Sequence, residues 1–131
     1  TEPDGRNVVF DGEGSWVMAP HEPRFPGRLV LLTSGGSISY AESWAGTFEG
    51  EKLGPIVGGP TAGTNGNINP LWLPGGFLVV FTGMRVRKQD GSRHHGVGII
   101  PTVPVAQTLA GFRAGHDEVL ERGAALAAGD A

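Results

Sequence analysis

The 131-residue chain contains no cysteine, and this absence removes three kinds of chemistry. Without cysteine there are no disulfide bonds, no thiolate zinc sites and no cysteine nucleophile. The sequence also lacks any run of about 18 apolar residues, so we expect no membrane span. The ten Lys and Arg are scattered and the formal net charge is −3. The clustered basic footprint typical of nucleic-acid-binding proteins is therefore missing, and no nucleic-acid partner is expected.

Glycine and proline are abundant, with 23 Gly and 10 Pro, but they follow no period. They separate apolar runs, which is typical of turns and not of collagen-like or low-complexity chains. The hydrophobic residues make up 39% of the chain, enough for a modest core. Length and composition together predict a single small domain over residues 1–131.

The middle of the chain predicts a strand–helix–strand unit. Residues 28–33 (RLVLLT) are continuously apolar, which predicts a strand buried on both faces. Tyr40, Trp44 and Phe48 recur at helical spacing and predict a helix whose aromatic stripe packs in the core. Residues 53–57 predict a second strand. The three elements make a right-handed βαβ unit, which indicates an α/β fold.

The remaining elements are predicted from turn signals and periodicity. Residues 58–70 read as a long turn-rich loop. Residues 71–73 and 77–81 flank a Pro-Gly-Gly turn and predict a hairpin. An apolar stripe predicts a final helix over about 116–128. Two further short strands are predicted near the N-terminus, at residues 8–10 and 16–18.

Ser39 lies at the junction between the predicted buried strand and the helix. Free N–H groups and the helix dipole favour negative charge at such a position. It therefore suits a nucleophile whose transition state develops an oxyanion. Ser39 and Glu42 also fit a capping box, as the N-cap and N3 residues. Local sequence favours the cap, and Ser37 competes for either role.

His94 and His95 are the next candidates, because imidazole can act as a base, an orienting group or a metal ligand. Adjacent residues on a strand point to opposite faces, so at most one of them would usually face a given site. A metal site needs further ligands, and only His21 and His116 remain, both far away in sequence. We therefore expect no metal and no cofactor.

Five blocks follow one another along the chain: RLVLLTSGGSISYAES at 28–43, VGGPTAGTNGN at 57–67, LPGGFLVVFTG at 73–83, QDGSRHHGVGIIP at 89–101 and AGHDEVLERGAAL at 114–126. Their order resembles the C-terminal half of the catalytic domain in the tail-specific, or C-terminal-processing, serine peptidases. That family includes the tricorn protease core and the repeats of interphotoreceptor retinol-binding protein. The resemblance covers about residues 25–127. It implies an α/β fold that forms part of the β-β-α superhelix shared with Clp protease and crotonase.

The resemblance implies a serine endopeptidase. It places Ser39 on the catalytic serine, and Tyr40 on the residue whose backbone N–H donates to the oxyanion. His95 stands where tricorn-like members carry a glutamate, and would act as a base towards Ser39 or orient a partner. The residues that the resemblance places around the site are Gly36, Glu42, Thr61, Gly63, Thr64 and Asn65.

Two departures from the family pattern bear on the mechanism. Thr64 stands where members with a serine–lysine dyad carry the lysine, so the lysine mechanism is not available. The family's N-terminal half, with its Asp-Leu-Arg-x-Asn-x-Gly-Gly segment, has no counterpart. The chain is therefore expected to be the C-terminal portion of a larger catalytic domain.

The resemblance also implies partners. These are a peptide or unfolded-protein substrate, and either the missing N-terminal half or another copy of the chain in a homo-oligomer. Bacterial relatives are often exported, which favours a periplasmic or secreted location. The alternative function is a non-catalytic ligand- or protein-binding domain derived from the same fold.

Overall fold

A computed structural model describes residues 22–129 of the chain. Within this range the fold is α/β, with a parallel three-stranded sheet, a separate antiparallel hairpin and three helices. In chain order the elements are β1 Leu31–Thr33, α1 Tyr40–Gly50, β2 Ile56–Gly58, β3 Ile68–Leu73, β4 Phe77–Thr82, β5 Val103–Pro104, α2 Leu109–Ala114 and α3 Glu118–Ala128. The strands predicted at 8–10 and 16–18 lie outside the described residues.

The predicted βαβ unit is confirmed. Strands β1 and β2 pair in parallel, with Leu31 opposite Ile56, and α1 connects them. Strand β5 pairs in parallel with the other edge of β2, with Val57 opposite Val103. The sequence did not predict β5, because it has only two residues and the second is Pro104. The central strand β2 is completely buried.

The core lies between the sheet and α1. Ala45, Phe48, Ile56 and Ile99 form one buried cluster, and Leu31 packs against it. Side chains alternate along a strand, so the next residue of β1 points to the opposite face of the sheet, where α3 packs.

That opposite face is covered only in part. Leu32 remains 39% exposed there, so the prediction that β1 is buried on both faces is wrong. The physical reason is that β1 is an edge strand of a small sheet.

Helix α1 forms where it was predicted but buries a different face. Its buried residues are Glu42, Ala45 and Phe48, whereas Tyr40 is 72% exposed and Trp44 is 53% exposed. The prediction that Trp44 belongs to the core is therefore wrong. Its ring lies at the surface and stacks on the buried ring of Phe48, with 5.6 Å between centroids. A carboxylate, not an aromatic ring, takes the core-facing position in the first turn.

The predicted hairpin is confirmed and is longer than expected. Strands β3 and β4 pair from Ile68 opposite Thr82 to Leu73 opposite Phe77. All twelve of their residues are exposed, so this part of the chain offers apolar side chains on both faces of a two-stranded ribbon. No Asp, Glu, Lys, Arg or His occurs between Lys52 and Arg85 in the sequence. Such a pattern is typical of strands that are covered on both faces.

The predicted C-terminal helix is confirmed as α3. Its N-cap is Asp117, whose carboxylate accepts a hydrogen bond from the Leu120 N–H. The short helix α2 was not predicted, because six residues carry too little periodicity to be recognised. None of the helices within residues 22–129 is long and apolar enough to cross a membrane.

Candidate active site

Ser39 stands at the start of α1 with a strained backbone. Its φ is 53° and its ψ is −117°. Non-glycine residues seldom adopt such a conformation, which costs about 1–3 kcal/mol and clusters at functional sites. The side chain makes no capping hydrogen bond within the described residues and is exposed. The predicted capping box is therefore wrong, because an N-cap needs an extended backbone to reach the helix N–H groups.

The turn before Ser39 is held by its own hydrogen bonds. The Ser37 N–H donates to the Ser34 carbonyl over 2.9 Å, and the Gly36 N–H donates to Ser34 Oγ over 3.2 Å. Ser37 Oγ accepts a hydrogen bond of 3.3 Å from the Ser34 N–H. Ser37 is therefore part of this turn. Among residues 22–129, the Tyr40 N–H donates no hydrogen bond to another protein group.

Glu42 lies three residues further along α1 and is only 1% exposed. Its Oε1 accepts hydrogen bonds of 2.6 Å from the Thr61 hydroxyl and 2.6 Å from the Gly63 N–H. Its Oε2 accepts one of 2.8 Å from the Thr64 N–H. The carboxylate thus fastens the loop after β2 to the first turn of α1.

These contacts determine the ionisation of Glu42. Burial by itself raises the pKa of a carboxyl group. The hydrogen bonds from residues 61–64, together with the nearby His94 ring, act in the opposite direction and are stronger in sum. The pKa of Glu42 is therefore lowered from its ordinary value of 4.5, and the group is ionised at neutral pH.

Thr61 connects this carboxylate to a third segment. Its N–H donates to the Ile99 carbonyl over 3.1 Å, and its Oγ1 accepts a hydrogen bond of 2.8 Å from the Ile99 N–H. Gly98 approaches the same threonine so closely that a β-carbon would lie 2.5 Å from the Thr61 carbonyl oxygen. Its φ of 70° also favours glycine. The network therefore needs glycine at position 98.

The structure brings most of the predicted site residues to α1. Thr61, Gly63 and Thr64 surround Glu42, as described above. The Asn65 side-chain amide donates to Ser43 Oγ over 2.9 Å, one residue beyond Glu42.

Sequence reasoning missed the contact made by His94. This ring is 2% exposed, and its Nε2 lies 3.4 Å from Glu42 Oε1. The distance allows attraction if the ring is protonated, but Nε2 has no hydrogen-bond partner within the described residues. The alternation of the two histidines indicated that at most one would face the site, and no signal in the sequence showed which one.

His95 points elsewhere. Its Nε2 accepts a hydrogen bond of 2.8 Å from the Val86 N–H. Within residues 22–129 it makes no hydrogen bond to Ser39 or Glu42. Its role as a base stays a prediction. The same part of the chain contains no group of three or more His, Cys, Asp or Glu side chains that could hold a metal ion.

A cleft of about 400 Å³ opens between α1 and residues 86–94. An ion pair of 3.0 Å between Lys88 and Glu49 joins its two walls. Ser39 lies outside this cleft, at the N-terminal end of α1. The residues that line it include Glu42, Ser43, Thr47, Asn65, Val86, His94 and Ile99.

Comparison with known proteins identifies the family of the chain. The sequence pattern that defines peptidase family S41 matches residues 3–105 of the chain. A search of curated proteins gave no match.

Several solved structures share the fold. A candidate peptidase from Parabacteroides merdae is 24% identical with a TM-score of 0.72, over 82% of this chain and 34% of its own. The tricorn protease is 19% identical with a TM-score of 0.67, over 73% of this chain and 10% of its own. The photosystem II D1 C-terminal processing protease is 28% identical with a TM-score of 0.50, over 59% of this chain and 20% of its own.

The chain therefore spans about a third, or less, of the length of these three proteins. The α/β fold and the resemblance to C-terminal-processing peptidases are confirmed. Because the family pattern covers most of its length, the chain belongs to peptidase family S41.

Proposed function

We propose that Ser39 is the nucleophile of a serine endopeptidase, and that the protein containing this chain hydrolyses peptide bonds. The observation that carries the proposal is the backbone of Ser39. Ser39 is exposed and does not cap its helix, so capping does not account for its strained backbone. Strain of this kind is typical of functional sites. Membership of a peptidase family supplies the reaction class.

In the proposed reaction, Ser39 Oγ attacks the carbonyl carbon of the peptide while its proton passes to a base. The Tyr40 N–H, at the first turn of α1, donates to the oxyanion of the tetrahedral intermediate. The carbon–nitrogen bond then breaks, and the base returns the proton to the leaving amine. Water hydrolyses the acyl-enzyme ester and regenerates Ser39.

Glu42 acts as a positioning residue in this proposal. Its carboxylate accepts hydrogen bonds from residues 61–64 and so fixes the site-lining loop against α1. Glu42 lies only one helical turn after Ser39. The loop and the nucleophile are therefore positioned by the same helix.

The base is the least defined part of the proposal. The resemblance suggests His95, whereas the ring nearest to Glu42 is His94. Separate substitutions His95→Gln and His94→Gln distinguish them. Loss of turnover at constant KM in the His95 variant, with a smaller loss in the His94 variant, supports His95. The reverse order assigns the role to His94.

The chain is proposed to act together with other structure. It spans about a third, or less, of the three peptidases compared above, so the remainder of a catalytic domain or a second copy would complete the site. The expected substrate is a peptide or an unfolded protein segment.

The decisive experiment is labelling with a fluorophosphonate probe, mapped by peptide mass spectrometry. We expect modification of Ser39 in the parent protein, and none in the Ser39→Ala variant. Ser92→Ala is the matched control, because Ser92 is exposed, lies outside the turn before Ser39 and should leave labelling unchanged. Equal turnover by the Ser39→Ala and unmodified proteins would refute the proposal.

A non-catalytic binding domain is the second candidate. It is favoured by Thr64, which donates its backbone N–H to Glu42 at the position where a dyad enzyme carries its lysine. Peptide binding by the full-length parent without labelling of Ser39 would support this alternative.

A further inference from the structure

Residues 85–95 form a short antiparallel loop that contributes to two pockets. Arg87 pairs with Arg93 in an antiparallel bridge, and the Lys88 N–H donates to the Ser92 carbonyl over 3.0 Å.

Val86, Arg87 and His94 line the cleft against α1. A second pocket, of about 290 Å³, lies beside the same loop and shares Val86 and Arg87 with the cleft. The residues that line this pocket are Arg85, Val86, Arg87, Gly91, Arg93 and His95.

The second pocket is strongly basic. Three arginines line it, and no carboxylate from the described residues does so. None of these arginines forms an ion pair within the described part of the chain. Arg93 Nε donates to the His95 carbonyl over 2.7 Å and Arg87 Nη1 donates to the Gly91 carbonyl over 3.4 Å. These bonds orient the guanidinium groups and leave their charge uncompensated.

The pairing of Arg87 with Arg93 is unfavourable by itself. Like charges directly opposite each other on an antiparallel pair are destabilising. An anion held between the two guanidinium groups would remove this repulsion. The planar guanidinium matches a carboxylate through two parallel hydrogen bonds, which makes arginine well suited to that ligand.

We propose that this pocket, named here the arginine pocket, binds a carboxylate group of the peptide substrate. The inference rests on the proposed function, because a peptidase meets carboxylates on acidic side chains and at the C-terminus of its substrates. The chain has a formal net charge of −3, so attraction of an anion is a local property of this loop.

The test measures binding apart from hydrolysis. The full chain carrying Ser39→Ala is titrated into four fluorescein-labelled versions of one peptide, followed by fluorescence anisotropy. The versions carry either two glutamates or two glutamines, each with a free or an amidated C-terminus. We expect the acidic or free-acid versions to bind about tenfold more tightly, with affinity falling as salt is raised. A difference between the glutamate and glutamine peptides shows that a side-chain carboxylate is bound. A difference between the free and amidated peptides shows that the C-terminal carboxylate is bound.

Arginine variants then locate the site. Arg87→Gln and Arg93→Gln should each remove most of this preference, and Arg87→Lys should remove part of it, because lysine keeps the charge and lacks the planar fork. Arg113→Gln, on α2, is the charge-matched control and should keep the preference. All the substituted side chains are exposed, so unchanged thermal unfolding is expected.

Three outcomes would overturn the proposal. These are equal binding of all four peptides, an equal loss in the Arg113→Gln control, or displacement of the acidic peptide by a single-stranded oligonucleotide more effectively than by unlabelled peptide. A parent enzyme that fails to hydrolyse peptides refutes the proposed function instead, and does not change the anisotropy result.

Discussion

The carboxylate of Glu42 accepts a hydrogen bond of 2.6 Å from the hydroxyl of Thr61, and both residues are buried. The two residues belong to different elements, the first turn of α1 and the loop after β2. The same hydroxyl oxygen accepts a hydrogen bond from the Ile99 N–H, so one chain of hydrogen bonds joins three segments. Buried polar groups linked in this way hold a unique arrangement, and breaking one link affects the others.

Glu42→Gln should weaken the fold. The NH2 group that replaces one carboxylate oxygen cannot accept hydrogen bonds, so at least one donor loses its partner. We expect the free energy of unfolding to fall by about 2–3 kcal/mol at neutral pH, measured by urea denaturation. Glu51→Gln, at the exposed end of α1, should change it by less than about 0.5 kcal/mol. Equal effects of the two substitutions would contradict this account.

The same carboxylate should make stability depend on pH. Its folded pKa is below the ordinary 4.5, so the unfolded chain binds the proton more readily. The stabilisation is fully present above pH 4.5 and is lost as the pH falls through the folded pKa. The difference in unfolding free energy between the unmodified chain and Glu42→Gln should therefore shrink on acidification. A difference that stays constant down to low pH would show that Glu42 does not titrate as described.

Two substitutions at Ser39 should separate strain from chemistry. Ser39→Ala keeps the strained backbone, so we expect stability close to that of the unmodified chain. Ser39→Gly relieves the strain and should raise the free energy of unfolding by about 1 kcal/mol. Both should abolish fluorophosphonate labelling in the parent protein.

Lys52 provides the matched control for this prediction. It follows α1 with a φ of 52°, the other positive φ at a non-glycine residue within 22–129. Lys52→Gly should raise the free energy of unfolding by about the same amount as Ser39→Gly, without affecting labelling of Ser39. If Ser39→Gly proves less stable than Ser39→Ala, the strain argument is wrong.

Gly98 and Gly91 offer a second matched pair. Both have a positive φ, 70° and 81° respectively. A β-carbon at 98 would meet Thr61, whereas at 91 it would meet open space. We expect Gly98→Ala to destabilise the chain by at least about 2 kcal/mol more than Gly91→Ala, by thermal or urea unfolding. Similar losses of stability in the two variants would mean that the loop around Thr61 can shift to accommodate a β-carbon at little cost.

The β3–β4 ribbon should make the isolated chain associate as its concentration rises. All of its residues are exposed and most are apolar, and unprotected apolar strands pair with one another. Sedimentation velocity should show association that Val80→Lys reduces. Ser92→Lys adds the same charge outside the ribbon and should leave association unchanged. A monomer at all accessible concentrations would contradict the prediction.

The sequence predicted those elements whose signals are local. The helix from Tyr40 and the Pro-Gly-Gly hairpin follow from spacing and turn chemistry, and both lie where expected. Strand β5 is defined by its pairing with β2, and two residues carry no pattern of their own. The burial of Trp44 was misjudged because the orientation of α1 depends on contacts that Glu42 makes with a distant loop.

The candidate site shows the same division. The loop residues 61–64 were expected at the site from the resemblance, and the structure places them around Glu42. The contact between Glu42 and His94 joins residues far apart in the chain. The local sequence around Glu42 or His94 contains no pattern that predicts this contact, so only the folded structure shows it.

The stretch between Lys52 and Arg85 contains no Asp, Glu, His, Tyr, Lys or Arg, and therefore no side chain that exchanges a proton between mildly acidic and mildly alkaline conditions. The loop around the proposed site and the whole β3–β4 ribbon fall inside it. A change of pH can therefore act on this quarter of the chain only through neighbouring side chains that do titrate. Glu42 is hydrogen-bonded directly to the loop, so protonation of its carboxylate at low pH would weaken the bonds that hold the loop against α1.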